Sequence, residues 1–311
     1  MEQDLKKPLA PLWLRYPSYS RCCLGWRMGG GEDYVTQFGR WFNALSGEEK
    51  GEYRRMFPEP KGWLGWYDDE FLDVTDEFFI IDWEKEGQPK YSLSTLMEQP
   101  NDNTKTEYLL FWGHQPSCEG NLTKTCLSQW WQSSFRVDAE EYFCMEQYMM
   151  AQKALLFKDA EIHAQIMQSK DPKAIKALGR KVKNFHEDVW SQKRYSIVVN
   201  GNYAKFIQDP MLKVFLLSTG NKILVEASPY DRIWGIGLAQ NDPQAKNPHA
   251  WRGQNLLGFA LMEVRDELYR VCKNEKVADM LYDDPEEISR KYAKLTALYK
   301  RLGIPFKLYQ E

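Results

Sequence analysis

Glu146 and Lys153 are the residues of this chain whose types and spacing most directly suggest chemistry. They place one carboxylate and one amine in an otherwise apolar run, EQYMMAQKALLF, within the longer segment from Cys126 to Phe157. Tyr142, Met145, Met149, Leu155 and Leu156 recur at three- and four-residue intervals with no Gly or Pro between them, which predicts a largely buried helix from Tyr142 onward. Seven residues are close to two turns, so the two charges lie on nearly one face, separated by roughly 10 Å of rise. A buried charge without a partner is costly, so the pair either answer each other through intermediates or face a cavity that holds a polar ligand. The plain alternative is a pair of solvated charges at the helix edges. As residue types, a carboxylate can activate water or stabilise positive charge, and an amine can donate a proton or attack as a nucleophile.

The rest of the chain must supply the elements that position such a pair. Its 311 residues, 43% of them hydrophobic, suit about two domains with a packed core. No apolar run approaches the roughly 18 residues of a membrane helix, and the start MEQDLKKPLAPLW lacks a signal-peptide core. A cytoplasmic protein with no membrane partner is expected. Six cysteines, at 22, 23, 118, 126, 144 and 272, show no disulfide or metal spacing and are expected to be reduced. The four histidines, at 114, 163, 186 and 249, are scattered without paired spacing, so no metal is expected.

Residues 98–107, with EQPNDNTKTE free of large apolar side chains, read as a linker between an N-terminal module, 1–97, and a catalytic region, 108–272. The N-terminal module carries six of the twelve tryptophans and turn signals at Gly29–Gly31 and Pro58–Pro60. It has 12 basic against 17 acidic residues, a net of −5, which makes it a poor phosphate binder. Nine of those acids fall between Asp68 and Glu86, most simply a solvated face, and Phe78–Ile81 could form a short strand. In the tail, 273–311, Asp284 as N-cap, Pro285 at the first helical position and Gly303 beyond the end bracket a helix over about 285–302.

Six motifs follow one another in order: LSQWW, EQYMMAQKALLF, ALGRKV, NYAKF, the run LLSTGNKILVEASPYDRIWGIGL and WRGQNLLGFALMEVRDEL. In that order and spacing, from about Tyr108 to Cys272, the chain resembles the NADAR family, whose bacterial members include YbiA-like N-glycosidases. The resemblance implies a mainly α, compact multihelical YbiA-like domain. To it this chain adds the aromatic-rich N-terminal module, α+β if the short strand forms, and a C-terminal helix. It also implies hydrolysis of a bond between ribose C1 and an amine nitrogen, with no cofactor and no metal. The substrate it implies is ADP-ribose carried on guanine, in nucleotide, DNA or RNA, or a ribosylamino-pyrimidine phosphate of riboflavin synthesis; a non-catalytic ADP-ribose binding module is the third reading. One departure is Met145, where the family's residue before the glutamate is small, and which would reshape the pocket wall.

Cleavage of a C1–N bond passes through positive oxocarbenium character at the ribose, so a carboxylate is needed near C1. Glu146 is the first choice. Lys153 could protonate the leaving amine, hold Glu146 ionised, or attack a ring-opened C1 to give a Schiff base, and burial would lower its pKa. Asp231, in SPYDRIWGIG, is the third catalytic candidate, unless it only caps a turn. Lys173–Arg194 holds seven basic residues, mostly the solvated side of helices; Arg180 falls on the ALGRKV motif as a phosphate contact, with Lys205 of NYAKF second. Trp234, Gly235 and Gly237 offer a flat ring and close backbone, and Trp131 of LSQWW and Asn255 complete the substrate-binding set. WGIG lacks the third glycine and βαβ context of a dinucleotide fingerprint. Asn255 could instead cap the apolar helix Leu256–Val271.

Overall fold

The computed structural model describes residues 7–68, 89–98, 106–115 and 122–279, and in the C-terminal segment 293–294, 296–298 and 300–302. These residues are mainly helical. The helices are α1 (Leu12–Arg15), α2 (Gly30–Ala44), α3 (Gly47–Met56), α4 (Leu93–Glu98), α5 (Met145–Leu156), α6 (Ala160–Gln168), α7 (Pro172–Gly179), α8 (Glu187–Gln208), α9 (Pro210–Ser218) and α10 (Leu256–Val271). Strands β1 (Tyr108–Phe111) and β4 (Ile223–Glu226) pair in parallel, and β2 (Phe135–Val137) and β3 (Glu140–Tyr142) form a hairpin.

Local sequence sets several helix starts. Asp171 accepts from the backbone N–H groups of Lys173 and Ala174, Asp209 from those of Met211 and Leu212, and a proline follows each as the first helical residue of α7 and α9. Ser46 and Glu49 close a reciprocal capping box on α3.

The reactive helix α5 begins later than the periodicity predicts. Tyr142 ends β3, opposite Phe135 in register and stacked on it with ring centroids 5.7 Å apart. A hairpin side chain three residues ahead of Met145 satisfies the same spacing as a helical one, so sequence alone could not separate the two. With Cys144 making no side-chain cap, Gln147 holds the first turn instead. Its Oε1 accepts from Phe143 N at 2.8 Å, and its amide donates to the carbonyls of Ile166, Met167 and Ser169. Met145 does not shape a pocket wall. It is buried against Gly201 of α8, where an added Cβ would sit 2.6 Å from the Met145 methyl, so the glycine makes room for the larger residue.

Two close approaches set the site's far wall. α10 lies on β4 through Gly258, whose missing Cβ would meet the Leu224 carbonyl at 2.1 Å. The parallel register Tyr108↔Ile223 to Phe111↔Glu226 sends the loops after β1 and β4 out of the sheet side by side.

One apolar core runs from Leu9 to Cys272, with Trp13, Phe38, Tyr53 and Phe57 joined to Phe111, Tyr148 and the α8 and α10 side chains. The face of α10 toward the N-terminal residues is polar. Glu267 accepts from Lys61 N and Glu263 from Tyr91 N, while Arg270 donates to the Glu59 carbonyl and Asn274, just past the helix, to that of Met56. The described residues between 293 and 302 are helical, with Leu298 buried on Val214. The expected cap at Asp284 and Pro285, the stop at Gly303, the strand at Phe78–Ile81, most of the acidic stretch 68–86 and most of the linker lie outside the described residues. So does Cys118; the other five cysteines are free thiols.

Candidate active site

A cavity of about 710 Å³ opens between α5, α7, the turn after Leu127 and the loops that follow β1 and β4. Glu146, Met149, Met150 and Lys153 come from α5, so the expected shared face is the one that meets the cavity. Lys176 and Arg180 come from the end of α7, Trp130 from the LSQWW turn, Glu226 from the end of β4, and Asp231 and Trp234 from the segment after it.

Glu146 is buried, at 3% exposure. Its Oε2 accepts a hydrogen bond from Trp130 Nε1 at 3.2 Å, and its Oε1 has no partner among the described residues. Burial pushes its carboxyl up to about 7, and the negative charge of Asp231 adds to the rise. Lys176, the Trp130 hydrogen bond and Arg180 oppose it.

Glu226 is a cavity residue that sequence reasoning missed. It ends β4, and its Oε2 is out of water and unpartnered among the described residues. Burial, then Asp231 and Glu146, push it up to about 8, against Lys176. The available signal was a carboxylate at the end of the apolar run KILVE, in a segment already singled out for Asp231.

Asp231 caps its turn and also lines the cavity. Its Oδ1 accepts from Ile233 N and Trp234 N at 2.9 and 2.8 Å, which is a turn cap, and its charge still reaches both glutamates across the cavity. Lys153 makes no ion pair with Glu146. Its amine donates to the Gly179 carbonyl at 2.9 Å and sits 4.0 Å from the Phe185 ring centroid. Burial lowers its pKa and the charge of Glu187 opposes this. The amine therefore anchors the end of α7, where Arg180 begins, while its side chain lines the cavity.

The other expected binding residues stand behind the wall. Lys205 is 1% exposed and donates to the carbonyls of Cys126 and Ser128 at 2.7 and 3.3 Å, fastening the turn that carries Gln129 and Trp130; burial lowers it to about 8. Trp131 packs partly buried on the core, and its neighbour Trp130 faces the cavity. Gly235 lets the loop return against β4, since a Cβ there would lie 2.8 Å from the Glu226 carbonyl. Gly237 adopts φ +67°. Asn255 makes no side-chain helix cap. It reaches back to β4, accepting from Glu226 N and donating to the Leu224 carbonyl, both at 2.9 Å. Of the seven basic residues of 173–194, Lys183 pairs with Glu161 and Arg194 with Glu187. Only Lys176 and Arg180 line the cavity.

Among the described residues no cluster of three His, Cys, Asp or Glu side chains could hold a metal, and no helix is long and apolar enough to cross a membrane. The arrangement is three carboxylates facing two cations, walled by indole rings. Gln129 Oε1, Glu146 Oε1 and Glu226 Oε2 are buried acceptors without donors among the described residues.

Over 145 residues the chain is 46% identical to the N-glycosidase R617 of Acanthamoeba polyphaga mimivirus, covering 45% of this chain and 85% of that protein. It is 31% identical to the N-glycosidase Npun_R5314 of Nostoc punctiforme, covering 46% and 85%, and 29% identical to the N-glycosidase YbiA of Escherichia coli, covering 43% and 74%. The NMR structure of E. coli YbiA aligns with a TM-score of 0.43 at 24% identity over 52% of this chain and 84% of that one. Residues 110–269, which hold the second half of β1, all of β4, α5 and all the carboxylates of the cavity, match the NADAR domain, and this chain belongs to the NADAR domain family.

Proposed function

We propose that this N-glycosidase removes ADP-ribose from ADP-ribosylated guanine, in nucleic acid or nucleotide, with Glu146 and Glu226 dividing the acid and base roles. The observation that carries the reading is the set of three donorless acceptors on Gln129, Glu146 and Glu226. A buried acceptor left unmatched is costly, and a ribose brings hydroxyl donors to match it. Lys176 and Arg180 add positive charge on one wall, which suits a pyrophosphate. A cavity of 710 Å³ falls within the range of about 300–1,000 Å³ that encloses ligands of nucleotide size.

Near neutrality Glu226, pushed to about 8, keeps its proton and can give it to the leaving nitrogen as the C1–N bond breaks. Glu146, pushed to about 7, is the readier to ionise. It stabilises the oxocarbenium charge and takes the proton from the water that attacks C1. Asp231 stays against both, and Lys153 holds the α7 end that presents Arg180.

These values predict a bell-shaped kcat/KM profile, with loss of activity below about pH 7 as Glu146 takes a proton and above about pH 8 as Glu226 loses one. Lys176→Gln is expected to move the acid limb to higher pH, because the cation that favours ionised Glu146 is gone. Asp231→Asn is expected to move it lower. Rate–pH profiles of the three proteins check both signs.

The test of function is release of ADP-ribose from an ADP-ribosylated guanine oligonucleotide, compared with Glu146→Ala and run beside a ribosylamino-pyrimidine phosphate. Glu146-dependent ADP-ribose release supports the reading. Turnover of the pyrimidine substrate alone would replace it with the flavin-precursor hydrolase.

A further inference from the structure

Two rings at the mouth of the substrate cavity take no part in the packing of the protein. Tyr230 is 88% exposed and Trp112 50%, although both line the cavity. Neither belongs to the apolar core, and among the described residues neither makes a hydrogen bond or a ring contact. Large aromatic side chains left in water and gathered at one opening mark a contact surface. Their placement follows from the sheet. Trp112 comes directly after β1 and Tyr230 four residues after β4, and Ala227 N donates to the Phe111 carbonyl at 2.9 Å where the two loops part. Ile233, also exposed, lines the same cavity.

Two cations stand beside this rim, outside the cavity. Arg232 and Arg252 are exposed, and a Cβ on Gly237 would lie 3.0 Å from the Arg252 Cβ and 3.3 Å from the Arg232 Cγ, so the two side chains leave the surface together. Among the described residues neither is in an ion pair. Their backbones are held in place: Arg252 N donates to the Ile236 carbonyl at 2.9 Å and Gln254 N to the Arg232 carbonyl at 3.0 Å. Gly253 allows this approach, since a Cβ there would lie 2.7 Å from the Arg232 Cα. Asp231, between Tyr230 and Arg232, is turned onto Ile233 N and Trp234 N. In a chain of net charge −3, such a pair of arginines attracts an anion locally.

We propose that this rim is a subsite for the nucleotides next to the modified guanine in a single-stranded polynucleotide. A neighbouring unpaired base stacks on Tyr230 or Trp112, and the adjoining phosphates lie on Arg232 and Arg252. Stacking of this kind needs a base freed from pairing and does not read its identity, while the guanidinium fork suits phosphate. The substrate is then a strand and not a free nucleotide, which would fill the cavity and leave the rim untouched. The assignment rests on the reading of the cavity as one for ADP-ribosylated guanine and adds what lies beyond it.

Strand binding and turnover are measured separately. Fluorescence anisotropy of the full chain with a labelled, unmodified oligothymidylate of about ten nucleotides is expected to saturate with a Kd below about 100 µM at low salt. Tyr230→Ala and Trp112→Ala, both changes at exposed rings, are each expected to weaken it at least about fivefold. The double variant Arg232→Gln, Arg252→Gln is expected to lower the slope of log affinity against log salt by about 1.4, at roughly 0.7 per phosphate. In turnover, kcat/KM for ADP-ribosylated guanine in an oligonucleotide is expected to exceed that for the mononucleotide at least about tenfold, and Tyr230→Ala to shrink that ratio. No saturation up to about 1 mM, equal binding of a blunt duplex, wild-type affinity in both ring variants, an unchanged salt slope, or equal turnover of oligonucleotide and mononucleotide would each overturn the strand subsite. Strand binding with the expected variant pattern but no ADP-ribose release from either substrate would instead overturn the reading of the cavity, so the two failures are told apart.

Discussion

Glu146→Gln loses activity by a factor of about a thousand or more in kcat/KM, while the protein stays folded. The amide keeps the shape that fills the wall beside Trp130 but cannot carry negative charge toward the ribose or accept a proton from water. The same change has an opposite effect on stability at higher pH. Glu146 is raised from 4.5 to about 7 in the folded protein. A group raised in this way favours the fold fully below about pH 4.5, and that contribution is lost as pH climbs through about 7. The loss is of the order of 3 kcal/mol for a carboxyl this buried. The glutamine variant has no such loss, so at pH 8 it is expected to melt at or above the wild-type temperature. Thermal melts at pH 5 and pH 8, paired with kinetics at saturating and limiting substrate, separate a removed catalytic charge from a damaged fold. A variant both inactive and destabilised at pH 8 would mean that Glu146 is structural.

Asn255→Ala is expected to destabilise the protein by about 3 kcal/mol. The residue sits at φ 55°, a left-handed conformation that costs alanine more than asparagine or glycine. Its side chain also satisfies Glu226 N, which is part-buried, and the buried Leu224 carbonyl. Asn255→Gly keeps the backbone conformation and loses only the two hydrogen bonds, so it is expected to recover part of the loss. In both variants activity should fall further than stability alone dictates, because the freed end of β4 is what aims Glu226. Urea denaturation, with kcat measured well below the midpoint, reads the two effects apart. Equal stability of Ala and Gly variants would show that the left-handed backbone contributes nothing.

The helix spacing around Glu146 and Lys153 was legible because a buried helix that carries charge has few explanations, and the two residues do share the cavity face. What the sequence could not distinguish is a polar residue facing a ligand from one facing backbone. Lys205 and Asn255 have the chemistry of ligand contacts, yet one fastens the LSQWW turn and the other the end of β4. Their burial depends on which loop crosses above them, a tertiary fact with no local signature. Trp130 and Trp131 are adjacent, and in an irregular turn no periodicity says which ring points inward. Glu226 escaped notice for the converse reason: at the end of a four-residue strand it reads as a solvated terminus, and only pairing with β1 and the lid of 228–237 takes its oxygen out of water. α10 looked apolar around much of its circumference, and its glutamates became legible only once the N-terminal backbone they bind was in place.

The parallel pairing of β1 with β4 joins Tyr108 to Ile223, positions 115 residues apart, with five α-helices between them among the described residues. Closing so long a loop costs chain entropy before the strand contacts return anything. The helices can form from local contacts alone, whereas Glu226 reaches the cavity only when that ladder closes. The carboxylate pair is therefore a late event in the folding of this chain. During refolding, helical signal should return well before enzymatic competence, and the interval between them measures how long the chain takes to bring its two ends of the sheet together.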